Sequence, residues 1–166
     1  MIKIGVGAWI RDSEGGRSWF FPLEPENHGK TEIARENAAI LIDCESESIG
    51  GALDDNELPA DALIREIIEE RRFEPSIEQL KPLSEGMYVE QYRDGRWVDF
   101  VIALYILELL PDQIEMLVER EGLFSIQDDD LEKSLHLPGK KPHTKKFRPF
   151  TTQLGQFVIK NNLLRQ

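Results

Sequence analysis

If residues 59–73 form a helix, Glu66, Glu69 and Glu70 fall at i, i+3 and i+4, and their carboxylates share one face. Like charges at that spacing repel, at about 0.2–0.5 kcal/mol per pair on an exposed helix. A hard divalent cation turns the repulsion into binding, because Mg²⁺ and Mn²⁺ favour carboxylate oxygen. The plain alternative is a solvated acidic face. The helix itself is well marked. Ala60, Leu63, Ile64 and Ile67 make an apolar stripe on 3.6-residue geometry. Pro59 suits a first turn, where a missing N–H does no harm. Asn56 is placed to cap the start, and Asp61 sits at the positive end of the dipole. Arg65 and Glu69 can pair at i, i+4, in the less favourable order.

The glutamates belong to a longer pattern. Gly51 is followed after five residues by Glu57, and after seven more by Arg65-Glu66-Ile67. One residue later come Glu69-Glu70, then Arg71, Arg72 and Phe73. This resembles the signature of the Nudix hydrolases, Gly-x5-Glu-x7-Arg-Glu-aliphatic-x-Glu-Glu-x-Gly-aliphatic. The chain departs from it once: Arg72 stands where the family has its second glycine. A glycine there lets the chain leave the helix with positive φ. An arginine in that conformation costs about 1–2 kcal/mol; otherwise the helix continues to about Glu74 before Pro75 stops it. Either way the missing group is a hydrogen, not a metal ligand.

The resemblance implies an α+β fold, an α/β/α sandwich with a mixed β-sheet, as a single domain over residues 1–166. It implies metal-dependent hydrolysis of a diphosphate linkage in a nucleoside diphosphate joined to another moiety, with Mg²⁺, or Mn²⁺, as cofactor. Carried over residue by residue, Glu66, Glu69 and Glu70 become metal ligands, with the backbone carbonyl of Gly50, just before the first glycine. Glu66 or Glu121 becomes the general base, with Glu121 alternatively an extra metal ligand, Arg65 and Glu57 the supporting shell, and Gly51 the opening glycine. Gly50 is equally readable as a turn glycine, and Glu121 as an exposed loop glutamate with Glu119 close behind it as a candidate. The competing class is a non-catalytic Nudix-fold module that holds a nucleotide or a protein without turnover. Nucleoside triphosphates, ADP-ribose, nucleotide sugars and dinucleoside polyphosphates share the family motif, so the leaving group stays open.

Other elements must carry this helix. Ile2–Ile10 reads as a strand, Asp12–Gly16 as a turn and Arg17–Phe21 as the return arm of a hairpin. Residues 22–35 read as a loop holding His28, either a substrate contact or a plain loop histidine. Ala38–Cys44 has strand length and an apolar run. Gly86–Gln91 and Trp97–Leu109 read as strands joined through Asp94-Gly95, the second being the central strand covered on both faces. Residues 111–122 read as an acidic connection, Leu123–Ser125 as a short strand, and Asp128-Asp129-Asp130 as a helix start. Residues 139–148 carry five cations and no acid, as a phosphate-contacting arm or a solvated loop. Thr151 or Thr152 then caps a last helix bearing Leu154, Phe157, Val158 and Leu163.

Composition narrows the partners. A formal net charge of −11 over 166 residues argues against general binding to nucleic acid or to a membrane surface, both polyanions. The start of the chain reads as a strand rather than a signal peptide, and no apolar run reaches the roughly 18 residues of a spanning helix. One cysteine, Cys44, cannot form an internal disulfide and fits a reducing, cytoplasmic setting. The expected partner is a nucleoside-diphosphate-containing small molecule, and a homodimer is compatible with such a domain.

Overall fold

Ile2–Asp12 forms β1, and its alternation sets the plan of the molecule: Val6, Ala8 and Ile10 are buried on one face and Trp9 on the other. The computed structural model describes residues 2–23, 48–93, 96–135 and 149–163. The remaining strands are β2 (Ser18–Pro22), β3 (Ile49–Ala52), β4 (Leu80–Arg93), β5 (Arg96–Leu109) and β6 (Leu123–Gln127). They make a six-stranded sheet in the order β4-β5-β1-β2-β6, with β3 also on β1. The sheet is mixed because β1 and β5 run parallel, from Ile2↔Asp99 to Asp12↔Leu109, while every other pairing is antiparallel. One edge of β1 is divided: residues 5–8 pair with β3, and Ile10 and Arg11 pair with β2.

Among the described residues, four α-helices cover the sheet. They are α1 (Pro59–Arg71), α2 (Pro111–Arg120), α3 (Asp128–Leu135) and α4 (Pro149–Lys160). Ala62, Leu63 and Ile67 of α1 join Ile114 and Leu117 of α2 over Val6, Ala8 and Ile10. On the opposite face, Leu131 of α3 and Leu154 and Val158 of α4 cover Trp9, Trp19, Phe21, Phe100, Ile102 and Leu104. Each buried Leu or Ile side chain contributes about 1.5–3 kcal/mol by leaving water. The result is helices on both faces of a mixed sheet, the α+β sandwich expected. A polar latch closes one end: Asp128 accepts from Trp19 Nε1 at 2.5 Å and pairs with Arg11 Nη2 at 3.1 Å.

Several local expectations are corrected. Residues 111–120 are a helix, not a connection; Pro111 sits in its first turn, and Ile114 and Leu117, one turn apart, give it a buried face. Asn56 does not cap α1. The N-cap is Leu58, and Asn56 instead takes a left-handed conformation, φ 62°, in the turn before it. Thr151 and Thr152 lie within α4 rather than ahead of it. Gly50 is a strand residue opposite Gly7, not a turn residue. β5 is covered on both faces as expected, but β1 holds the middle of the sheet. β4 begins earlier than expected, at Leu80, and passes irregularities between Pro82 and Met87. His28, the Ala38–Cys44 run and the basic segment 139–148 lie outside the described residues.

Candidate active site

The guanidinium of Arg65 is the centre of the site. It stands on the polar side of α1 and donates from all three nitrogens. Nε reaches Glu57 Oε2 at 2.8 Å and Nη2 reaches Glu57 Oε1 at 2.9 Å, a two-pronged carboxylate pair. Nη2 also donates to the Ala52 carbonyl at 3.0 Å. Nη1 reaches Glu66 Oε1 at 3.1 Å and Glu69 Oε2 at 3.4 Å. Asp54 adds a carboxylate 3.4 Å from Nε. One cation thus ties the end of β3, the loop that follows and the acidic face of α1.

The loop is shaped for this. The Glu57 N–H donates to the Asp54 carbonyl at 3.2 Å, and the Asp54 N–H donates to Glu57 Oε1 at 2.9 Å. Glu57 therefore meets Arg65 already oriented. Its side chain holds the carboxyl well below the usual range, at about 2, mainly through the Arg65 hydrogen bonds and next through the Asp54 N–H. The same pairing raises Arg65, which stays charged throughout.

The two glycines of β3 are needed because other atoms occupy the space of a side chain. A Cβ on Gly51 would collide with the Glu66 carboxylate. A Cβ on Gly50 would collide with the Val6 carbonyl and lie 2.9 Å from Gly7 Cα. Glu66 accordingly sits against bare backbone at the strand end, with its side chain only 13% exposed. Glu69 and Glu70 are both exposed, at 59% and 38%.

Glu121 follows the last turn of α2. Its carboxylate accepts from Arg71 Nη1 at 2.6 Å, and Arg71 Nη2 lies 4.0 Å from Glu70 Oε2. Among the sequence candidates, the structure gathers Arg65, Glu57, Glu66 and Glu69 into one network with Gly51 alongside. Glu70 and Glu121 meet around Arg71 instead. Sequence reading missed Arg71, although a signal was present: the stripe Ala60, Leu63, Ile64, Ile67 extended by four residues lands on it. A cation on an apolar stripe requires a buried acid. Asp54 and the Ala52 carbonyl were missed as well.

The helix exit takes the first of the two alternatives. Arg72 has φ 58° and ψ 35°, and its N–H closes on the Ile68 carbonyl at 3.0 Å. Arg120 Nη1 donates to the Arg71 and Arg72 carbonyls, both at 3.4 Å, satisfying groups that a helix C-terminus leaves open.

The sequence matches no family model and no curated protein. Its architecture has solved counterparts. The C. elegans Ap4A hydrolase is 16% identical with a TM-score of 0.52, covering 100% of both chains. A Nudix hydrolase from Nitrosomonas europaea is 13% identical with a TM-score of 0.51, over 98% of this chain and 90% of that one. The E. coli ORF135 protein is 14% identical with a TM-score of 0.53, over 99% and 93%. The fold is that of the Nudix hydrolases. At such identities the likeness concerns the fold.

Within this Nudix fold the donor set of the α1 face is made of hard carboxylate oxygens, the kind that Mg²⁺ and Mn²⁺ select. The bare backbone at Gly51 leaves the Glu66 carboxylate room beside the strand. Both features fit a divalent cation. Among the described residues no three acidic, histidine or cysteine side chains stand close enough together to hold one already. Arg65 holds Glu66 and Glu69 meanwhile, and no described helix is long and apolar enough to cross a membrane.

Proposed function

We propose that this protein is a divalent-metal-dependent hydrolase that cleaves a diphosphate linkage in a nucleoside diphosphate joined to another moiety. The observation that carries the reading is the Arg65 network, which holds Glu57, Glu66 and Glu69 together at the end of β3 on a Nudix fold.

Glu66, Glu69 and Glu70 are the residues that would hold Mg²⁺ or Mn²⁺, with the Gly50 carbonyl as a backbone donor. The bound cation offsets the charge of the diphosphate and lowers the pKa of a water molecule. The chain's own groups do the rest. Arg65, itself held by Glu57, orients the Glu66 and Glu69 carboxylates. A carboxylate, Glu66 or Glu121, accepts the proton of the attacking water. The net negative charge of the chain makes cation binding a precondition for drawing in a polyanionic substrate. We assign the protein to the cytoplasm on its single cysteine.

The test is a panel of nucleoside triphosphates, ADP-ribose, nucleotide sugars and dinucleoside polyphosphates, including Ap4A, incubated with the protein and Mg²⁺ or Mn²⁺. Release of phosphate or nucleotide from at least one class is expected. Saturable binding without release from any of them would contradict hydrolysis and make the protein a binding module.

A further inference from the structure

Arg71 is the one charged residue in the buried class among the described residues. It occupies the last turn of α1, directly after Glu70, on the stripe that carries Leu63 and Ile67 into the core. Its partner Glu121 lies fifty positions away, at the C-terminal end of α2, with a side chain 13% exposed. Arg120, the neighbour of Glu121, donates back to the carbonyls of Arg71 and Arg72. The two helix ends are therefore joined by reciprocal contacts, each supplying an arginine to the other.

A guanidinium has a rigid fork, and both prongs matter here. Nη1 holds Glu121 at 2.6 Å, while Nη2 faces Glu70 at 4.0 Å. Glu70 belongs to the face assigned to the metal. Without a cation between them, two carboxylates would repel and turn apart. With Arg71 in place, Glu121 is kept beside the end of that face, although it comes from a different helix.

We propose that Arg71 is a positioning residue for the candidate active site: its fork sets Glu121 and Glu70 on either side of one cation and so makes Glu121 part of the metal-binding wall. This rests on the proposed function of the α1 glutamates. A residue that only joined α1 to α2 would matter to folding alone. A positioning residue also couples Glu121 to metal affinity, and the coupling vanishes when the fork is lost while the charge is kept. Arg71→Lys is the variant that does this.

The experiment measures Mn²⁺ dissociation constants by electron paramagnetic resonance, without substrate, well below each variant's melting temperature. The set is the unmodified protein, Glu121→Gln, Arg71→Lys and the double variant. Glu121→Gln is expected to weaken Mn²⁺ binding by about fivefold or more in the unmodified protein, and by less than about twofold in the Arg71→Lys background, a coupling of about 0.5 kcal/mol or more. If Glu121→Gln does not fold, Glu121→Asp, which keeps the charge and withdraws the carboxylate by one methylene, replaces it with the same expectations. An unchanged Mn²⁺ affinity in a folded Glu121 variant, or an equal loss in both backgrounds, overturns the positioning role. Absence of Mn²⁺ binding by the unmodified protein overturns the proposed function itself and this inference with it.

Discussion

Two arginines on α1 serve different ends. Arg65 lies on the polar face, about a quarter exposed, and all its acceptors come from its own helix or from the strand end and loop just before it. Arg71 lies on the apolar stripe, almost fully buried, and its acceptor Glu121 comes from the far end of α2. A wet ion pair contributes little to stability, typically about 0–1 kcal/mol, because water screens it and already solvates both partners. A buried pair has lost that solvation, so removing one member leaves a charge with no compensation. The first arrangement therefore governs the geometry of Glu66 and Glu69 with little effect on stability, and the second joins the helices while it sets Glu121 beside Glu70.

The sharpest way to break this contrast is to remove each guanidinium in turn. Arg71→Met is expected to lower unfolding free energy by about 3–5 kcal/mol, read from urea titration, because Glu121 is then stranded. Changing both partners to apolar residues, Arg71→Met with Glu121→Leu, is expected to recover most of that loss. Arg65→Gln is expected to behave in the opposite way. Its stability should change by no more than about 1 kcal/mol, while turnover drops by about a hundredfold, since misplacing catalytic groups by an ångström is enough for that. If Arg65→Gln unfolds the protein and Arg71→Met leaves it intact, the assignment of roles is inverted.

Acid titration sharpens the account of Arg65. Glu57 has a folded-state pKa of about 2 against an ordinary 4.5. A depressed carboxylate stabilises the fold at pH above about 4.5, and its contribution fades as pH falls from there through about 2. Carbon-detected NMR of the Glu57 carboxyl should show its midpoint near 2. In Arg65→Gln the midpoint should rise toward 4.5, because the largest cause of the shift is gone. A midpoint near 4.5 in the unmodified protein would mean that the two-pronged pair does not form in solution.

The smallest effect is expected at the helix exit. Arg72 holds a left-handed conformation that glycine adopts freely. Arg72→Gly should raise stability by about 0.5–1 kcal/mol, part of the relief being offset by the freer unfolded chain, and leave turnover unchanged. Melting curves and initial rates check both. A loss of activity would show that the exposed Arg72 side chain contacts substrate.

What could be read from the sequence was local. The α1 stripe and its carboxylates follow from a 3.6-residue period, and the spacing from Gly51 to Phe73 carried the resemblance to a fold that the solved structures share. The Arg65–Glu69 contact anticipated by i, i+4 spacing exists, but at 3.4 Å it is the longest contact Arg65 makes with a glutamate. The stronger ones reach back to the loop before the helix. Arg71 was not read because its meaning depends on Glu121, a partner that only tertiary packing supplies. Helix α2 was not read because its acids and arginine mask a short apolar repeat, Ile114 and Leu117 with Met116 and Val118 beside them. The Asn56 cap failed for a related reason: the turn that aims Glu57 at Arg65 needs Asn56 in a left-handed conformation and leaves Leu58 to start the helix.

The central claim is that the α1 glutamates hold a divalent cation that hydrolysis requires. The most direct measurement is the turnover number of Glu70→Gln, against the unmodified protein and against excess chelator, on whichever substrate the panel identifies. The change removes one negative oxygen and almost no volume, from a side chain that is not part of the core. The account predicts a fall of about a thousandfold or more with an unaltered melting curve, and the same fall for the unmodified protein in chelator. Full turnover in either case would contradict it.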